Sequence, residues 1–225
     1  ATYQASPRPS FDQTTLIRYD TVTRHLWGDD EAGRVADWIY VSRQEIHQIV
    51  FGVAPGGSFR HSEAYRTVFG ADEVFLVLEG EMAMSNPETG EVHLVKQGEF
   101  AFFRKDTWHH AHSVSKEALR VLEFFAPPPA TGTSGAYAKT KPYVTDSKYT
   151  QDELIHHWIP TEQPTRKTSI QVIREQDMLW RLEGEQTILV GIVASTEHLT
   201  AGKIRLLPGQ RSSLHTHAGA ESIYV

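Results

Sequence analysis

Residues 215–221 set two imidazoles and a carboxylate at a spacing that can grip one metal ion. In an extended strand side chains repeat every second residue, so His215 and His217 project from the same face. Glu221, carried past a short turn, can return on the neighbouring strand as a third ligand. A mixed imidazole and carboxylate set suits a divalent transition metal, with iron, manganese, nickel, copper and zinc all chemically compatible. The plainer alternative is a polar strand end at the surface. A second cluster is His109, His110 and His112. Alternation puts His110 and His112 on one strand face and His109 on the other, so at most one face points inward. His110 and His112 are therefore read as surface or supporting groups. Trp108, Phe100 and Phe102 are read as core and pocket lining. His25, His47, His93 and His198 stand alone, without ligand spacing, and are read as ordinary histidines. No Gly-x-Ser-x-Gly elbow, cysteine or P-loop is present, which argues against a nucleophilic hydrolase.

The composition bounds what surrounds these residues. The 225 residues can bury a real core, and 40% apolar with 22% charged residues is the balance of a globular protein. A net charge of -6 carries no basic footprint for nucleic acid or an anionic membrane. A small-molecule partner is expected instead, in a homo-oligomer. No apolar run approaches the roughly 20 residues of a membrane helix, and the first ten residues show no signal pattern. With no cysteine, any metal must be held by nitrogen and oxygen, and the expected location is cytoplasmic.

The elements that must position a site are short β-type runs. Residues 46–53, 73–79, 81–85, 91–95, 99–103 and 119–125 are rich in Val, Ile, Leu and Phe. Turn signals at Pro55-Gly56-Gly57, Asn86-Pro87-Glu88-Thr89-Gly90 and Gln97-Gly98 separate them, the second as a hairpin tip. This rhythm predicts an all-β sandwich or barrel. Residues 1–44 form an arm expected to pack outside the barrel or on a partner, and 45–126 form the barrel. Residues 127–168 make a connector rich in Pro, Gly, Ser and Thr, with a short helix near 151–158 capped by Thr150. A second β series follows at 170–173, 187–193, 203–207 and 222–225.

The two series read as a repeat. Phe51-Gly-Val-Ala-Pro55-Gly56 matches Arg205-Leu-Leu-Pro208-Gly209, and Glu73-Val-Phe-Leu-Val77 matches Glu221-Ser-Ile-Tyr-Val225. If the copies are equal, about 49 residues of the second lie beyond Val225, and its barrel is expected to be incomplete in this chain.

These motifs resemble those of the cupin superfamily. Gly209 to Glu221 follows the spacing Gly-x5-His-x-His-x3-Glu of its first motif, although Val225 comes before the motif's closing glycine. In the first unit Glu73, six residues and Gly80 match the end of that motif, while His61-Ser62-Glu63 stands where His-x-His is expected. Gly98 and His109 keep their places in the second motif, with Arg104, Asp106 and Ser113 replacing its proline, glycine and asparagine. The resemblance implies a double-stranded β-helix, or jelly-roll, bicupin whose second unit is truncated over 169–225. It implies a first metal set of His61, Glu73 and His109, with Glu63 as a substitute ligand, beside the set of His215, His217 and Glu221. Such a centre resembles the facial arrangement of non-haem iron oxygenases, so Fe(II) is favoured over Mn, Ni, Cu or Zn. The implied activity is a dioxygenase acting on a small aromatic or enolic substrate. The alternatives are a non-catalytic binding protein and a cupin isomerase, decarboxylase or lyase.

Overall fold

A computed structural model describes residues 2–127, 134–150 and 168–225. Two antiparallel sheets face each other across one core. The larger contains β1 (Thr23–Asp29), β2 (Gly33–Ser42), β3 (His47–Val53), β5 (Asp72–Glu79), β8 (Phe100–Phe103), β10 (Leu119–Ala126) and β11 (Ile170–Ile173). Its strand order is β1-β2-β3-β10-β5-β8-β11. The smaller contains β4 (Ser58–Phe59), β6 (Glu81–Ser85), β7 (Val92–Lys96) and β9 (His110–Ser113), in the order β4-β9-β6-β7. Between them lie Phe51, Phe75 and Phe103 of the large sheet against Met82, Met84, Val95 and Ala111 of the small one. This is the all-β jelly roll expected from the sequence.

The alternation that defines a strand is masked where both faces are covered. In β3 the inward Ile49, Phe51 and Val53 alternate with Val50, which packs outward with Tyr40, Val22 and Leu122. The strand therefore reads as a continuous apolar run. The 86–90 turn forms as predicted: the Asn86 carboxamide oxygen accepts from the Glu88 backbone N–H at 2.8 Å, and Gly90 takes φ +80°.

The boundaries differ from the expected ones. The large sheet begins at Thr23 inside the expected arm, because the register of β1 and β2 continues onto β3. Residues 2–11 run against the barrel, held at Pro9 and Phe11. The Ser42 N–H donates to the Pro9 carbonyl at 2.7 Å, and Arg43 Nη1 donates to the Phe11 carbonyl at 2.7 Å. β11, read as the start of the second unit, pairs instead with β8 of the first. β12 (Leu179–Glu183), β13 (Ile188–Ser195) and β14 (Thr200–Arg205) then form a separate three-stranded sheet. No strand forms over residues 206–225, including the expected 222–225. A short helix, α1 (Ser134–Ala138), was not foreseen, and the helix expected near 151–158 lies outside the described residues. Among the described residues no helix is long and apolar enough to cross a membrane.

Gly80 turns β5 into β6 with φ +79°, and a Cβ there would lie 3.0 Å from Ser115 Oγ and 3.1 Å from the Ala118 carbonyl oxygen. Both the left-handed backbone and the contact oppose a side chain. Gly80→Ala should lower stability by about 1–3 kcal/mol, read as a lower urea midpoint with an unchanged denaturant slope.

Candidate active site

Strand parity brings a row of ionisable side chains onto the inner face of the large sheet. His47 leads the inward series of β3, Glu123 sits between Val121 and Phe125 on β10, and Asp37 lies between Val35 and Ile39 on β2. The registers place His47 opposite both Ser42 and Phe125, Glu123 opposite Ile49, and Asp37 opposite Phe51. These groups line a cavity of about 130 Å³ whose walls include Trp27, Phe51, Phe59, Phe69 and Phe125. Tyr3, Pro7 and Arg8 of the N-terminal arm border the same cavity. An apolar chamber with a few convergent polar groups has the character of a small-molecule site.

Burial shifts each of these groups toward its uncharged form. Removal from water, reinforced by the nearby Glu123, raises the Asp37 carboxyl well above its ordinary range. Burial pushes Glu123 up to about 7, although a hydrogen bond with Glu73 opposes the shift. Glu73, on β5, is also raised well above the ordinary carboxyl value, first by burial and then by Glu123 and Asp72. The two carboxyls hold one another by a shared proton. His47 is driven down to about 3 by burial and then by the positive charge of Arg8, so its imidazole is neutral. Acids and bases poised this way suit proton transfer.

The expected metal ligands are divided between two places. Glu73 and His109 do meet: Glu73 Oε2 and His109 Nε2 stand 3.7 Å apart, both fully enclosed and, among the described residues, both without a hydrogen-bond partner. His109 Nδ1 is 3.1 Å from the Thr107 carbonyl oxygen, which can only accept, so Nδ1 carries the proton and Nε2 presents a lone pair to Glu73. Burial lowers His109 to about 4 despite that backbone bond. His61 does not join them. β4 ends at Phe59, whose ring packs 5.6 Å from that of His109, and the chain then carries His61 to the outer side of β9. There His61 Nδ1 is 2.6 Å from His110 Nε2, and His61 Nε2 is 2.8 Å from the Val144 carbonyl oxygen. That acceptor fixes the direction of the whole chain. Tyr149 O–H donates to His110 Nδ1 at 2.7 Å, His110 Nε2–H donates to His61 Nδ1, and His61 Nε2–H donates to Val144. His110 is thus buried rather than at the surface, under a cover formed by residues 143–149.

The substitute ligand Glu63 is exposed and paired with Arg66. His215, His217 and Glu221 are exposed in a segment without strand structure, with His217 Nδ1 2.9 Å from Glu221 Oε2 and His215 Nδ1 2.8 Å from the Ser213 carbonyl oxygen. Without a pairing strand, the alternation that would aim both imidazoles together is absent, although their rings approach to 4.7 Å. Among the described residues no three His, Asp or Glu side chains are grouped to hold a metal ion. The first barrel keeps two donors of the implied set, Glu73 and His109, and these alone do not fit a three-ligand centre.

The expected pocket lining is also corrected. Phe100 and Phe102 share the parity opposite to Ala101 and Phe103, so they face outward and pack with Met178, Val193 and Leu199. Trp108 packs outside the barrel with Val68 and Ala138, its ring 4.8 Å from that of His61. Asp37, His47 and Glu123 escaped the motif reading, yet parity could have found them. Each occupies an inward position among apolar residues, as in Leu119-x-Val121-x-Glu123-x-Phe125.

A buried carboxyl whose pKa is raised binds more protons in the folded than in the unfolded state, so stability is lost as pH rises from its ordinary value through its folded one. For Glu123 that window runs from 4.5 to about 7, and for Asp37 it opens at 3.8 and extends well above. Asp37→Asn and Glu123→Gln should therefore be more stable relative to the parent protein at pH 8 than at pH 4. Urea unfolding at the two pH values measures the difference.

The cupin domain model matches residues 50–125. A predicted oxalate decarboxylase from Thermotoga maritima is similar at 18% identity, covering 49% of this chain and 97% of its own, with a TM-score of 0.42. A cupin-2 domain from Rhodospirillum rubrum is 17% identical over 64% of this chain and 100% of its own, with a TM-score of 0.40. A polyketide cyclase from Streptomyces resistomycificus is 16% identical over 64% of this chain and 94% of its own, with a TM-score of 0.43. No curated protein matches the chain. Residues 50–125, the part matched by the cupin domain model, lie within the two paired sheets of the jelly roll.

Proposed function

We propose that the first barrel is an enzyme moving a proton on a small aromatic or enolic compound, an isomerase or lyase. The observation that carries this reading is the aromatic cavity with Asp37, His47 and Glu123 on its wall. The apolar body of the substrate rests against Phe51, Phe59, Phe69 and Phe125, which exclude water. Asp37, protonated, donates a hydrogen bond to the substrate's carbonyl oxygen. Glu123, as carboxylate, takes a proton from the adjacent carbon, and the C–H electron pair moves into an enolate whose oxygen is held by the Asp37 hydrogen bond. Return of that proton to another carbon of the conjugated system completes an isomerisation that needs no oxidant.

The metal-dependent dioxygenase implied by the motif resemblance is the competing reading. One observation favours it: Glu73 Oε2 and His109 Nε2 are buried, unpartnered and 3.7 Å apart, a separation suited to two donors of one ion. It requires further ligands, Fe(II) and dioxygen. A small-molecule substrate is common to both readings.

The test is hydrogen exchange and isomerisation of a panel of phenols, enols and 1,3-dicarbonyl compounds in D2O, followed by NMR after chelation with EDTA. Turnover should survive chelation and fall by about 100-fold or more in Asp37→Asn and Glu123→Gln. Turnover seen only with added Fe(II), consuming oxygen and lost in His109→Ala, would instead establish the dioxygenase. Binding without turnover under either condition would leave a binding protein.

A further inference from the structure

The N-terminal arm contributes one fixed positive charge to the cavity. Arg8 borders it, while Asp37, His47 and Glu123 supply its other ionisable side chains apart from Tyr3. The position of Arg8 is set by its neighbours: the Pro9 carbonyl accepts the Ser42 N–H, and Ser42 lies opposite His47 at the end of the β2–β3 pair. Both Ser42 and His47 line the cavity. The positive charge of Arg8 is felt at His47. Deeper along the same face the register passes Ile49 and Glu123, then Phe51 and Asp37, four residues beyond His47 on β3. At about 3.3 Å per residue that is roughly 13 Å of strand, enough for a single-ring ligand with a polar group at each end.

We infer that Arg8 selects an anionic ligand, a small aromatic or enolic carboxylate whose charged group sits at the Arg8, Ser42 and His47 corner while its ring extends inward. The inference rests on the cavity reading proposed above and adds the substrate class. The side chains at that corner fit a carboxylate. Arg8 offers a planar fork of donors, the Ser42 hydroxyl can donate, and buried His47 is neutral and adds no competing negative charge. Asp37, held protonated, does not repel an anion from the inner end. Glu123 faces the midpoint, where the ring and its reacting carbon would lie.

Calorimetric titration of the whole chain with benzoate and with its neutral isostere benzamide tests this directly. Benzoate should bind about five- to tenfold more tightly at low salt, with the preference shrinking as salt is added. Arg8→Gln should abolish the preference by weakening benzoate far more than benzamide, and Arg8→Lys should retain part of it. Arg8 is exposed, so these substitutions leave the core untouched. Equal affinity for the two probes, or a preference that persists in Arg8→Gln, would overturn the role of Arg8 and leave the cavity reading standing. Binding of neither probe would overturn both.

Discussion

Side chains of a β-strand alternate between two faces, and in this barrel one of those faces is sealed against a second sheet. Any ionisable residue at inward parity must therefore give up water, and it can do so only by becoming neutral or finding a partner. Asp37, His47, Glu73, His109 and Glu123 all meet this condition, and each is shifted toward its uncharged form. The aromatic rings that exclude water also bring the acids and bases together. Phe59, Phe69, Phe75 and Phe103 surround His109 at centroid distances of 4.6 to 5.8 Å, and two of them, Phe59 and Phe69, also wall the cavity. Packing and chemistry in the first barrel are thus one arrangement.

The outer face of the same sheet carries the residues that follow the connector. β11 extends the large sheet at β8, and Glu91 secures it by accepting from the backbone N–H groups of Ser169 and Ile170. Beyond β11, Val193, Ala194 and Leu199 pack on Val74, Phe100 and Phe102. The outward positions of β5 and β8 are therefore as apolar as the inward ones. That double coverage explains why the phenylalanines of β8 read equally well as pocket or as packing, and it fixes their role as packing.

Much of this was legible from local pattern. Strands β3, β5, β6, β7, β8 and β10 were visible as apolar runs, the 86–90 hairpin as turn chemistry, and the separation of His109 from His110 and His112 as strand parity. What local pattern could not supply was where the chain goes after a strand ends. His61 has a sequence position close to that of a metal ligand, but β4 stops at Phe59 and the chain passes behind β9, so spacing along the sequence ceased to predict direction. β1 and β2 were missed because charged and polar residues interrupt them: Arg24 and Asp29 in one, Arg34 and Asp37 in the other. β9 was hidden for a similar reason, its two histidines suggesting ligands more strongly than strand.

Asp72 and Glu73 show how completely side-chain direction governs charge. They are adjacent on β5 and both are almost fully buried, yet their carboxyls are shifted in opposite directions. Asp72 points outward, where it accepts from Thr196 Oγ1 at 2.7 Å and from Arg104 Nε and the Lys105 N–H at 3.0 Å each. Those donors outweigh its desolvation and hold it ionised, so its charge ties Thr196 and the β8 turn to the barrel. Glu73 points inward, where the neighbours are a second carboxyl and a neutral imidazole lone pair, and neither stabilises a negative charge. An ionised Glu73 would need a cation brought from outside, whereas a protonated one shares its hydrogen with Glu123. No cation among the described groups faces that pair, so the proton held between Glu73 and Glu123 is set by burial and by the second carboxyl rather than by a counter-charge.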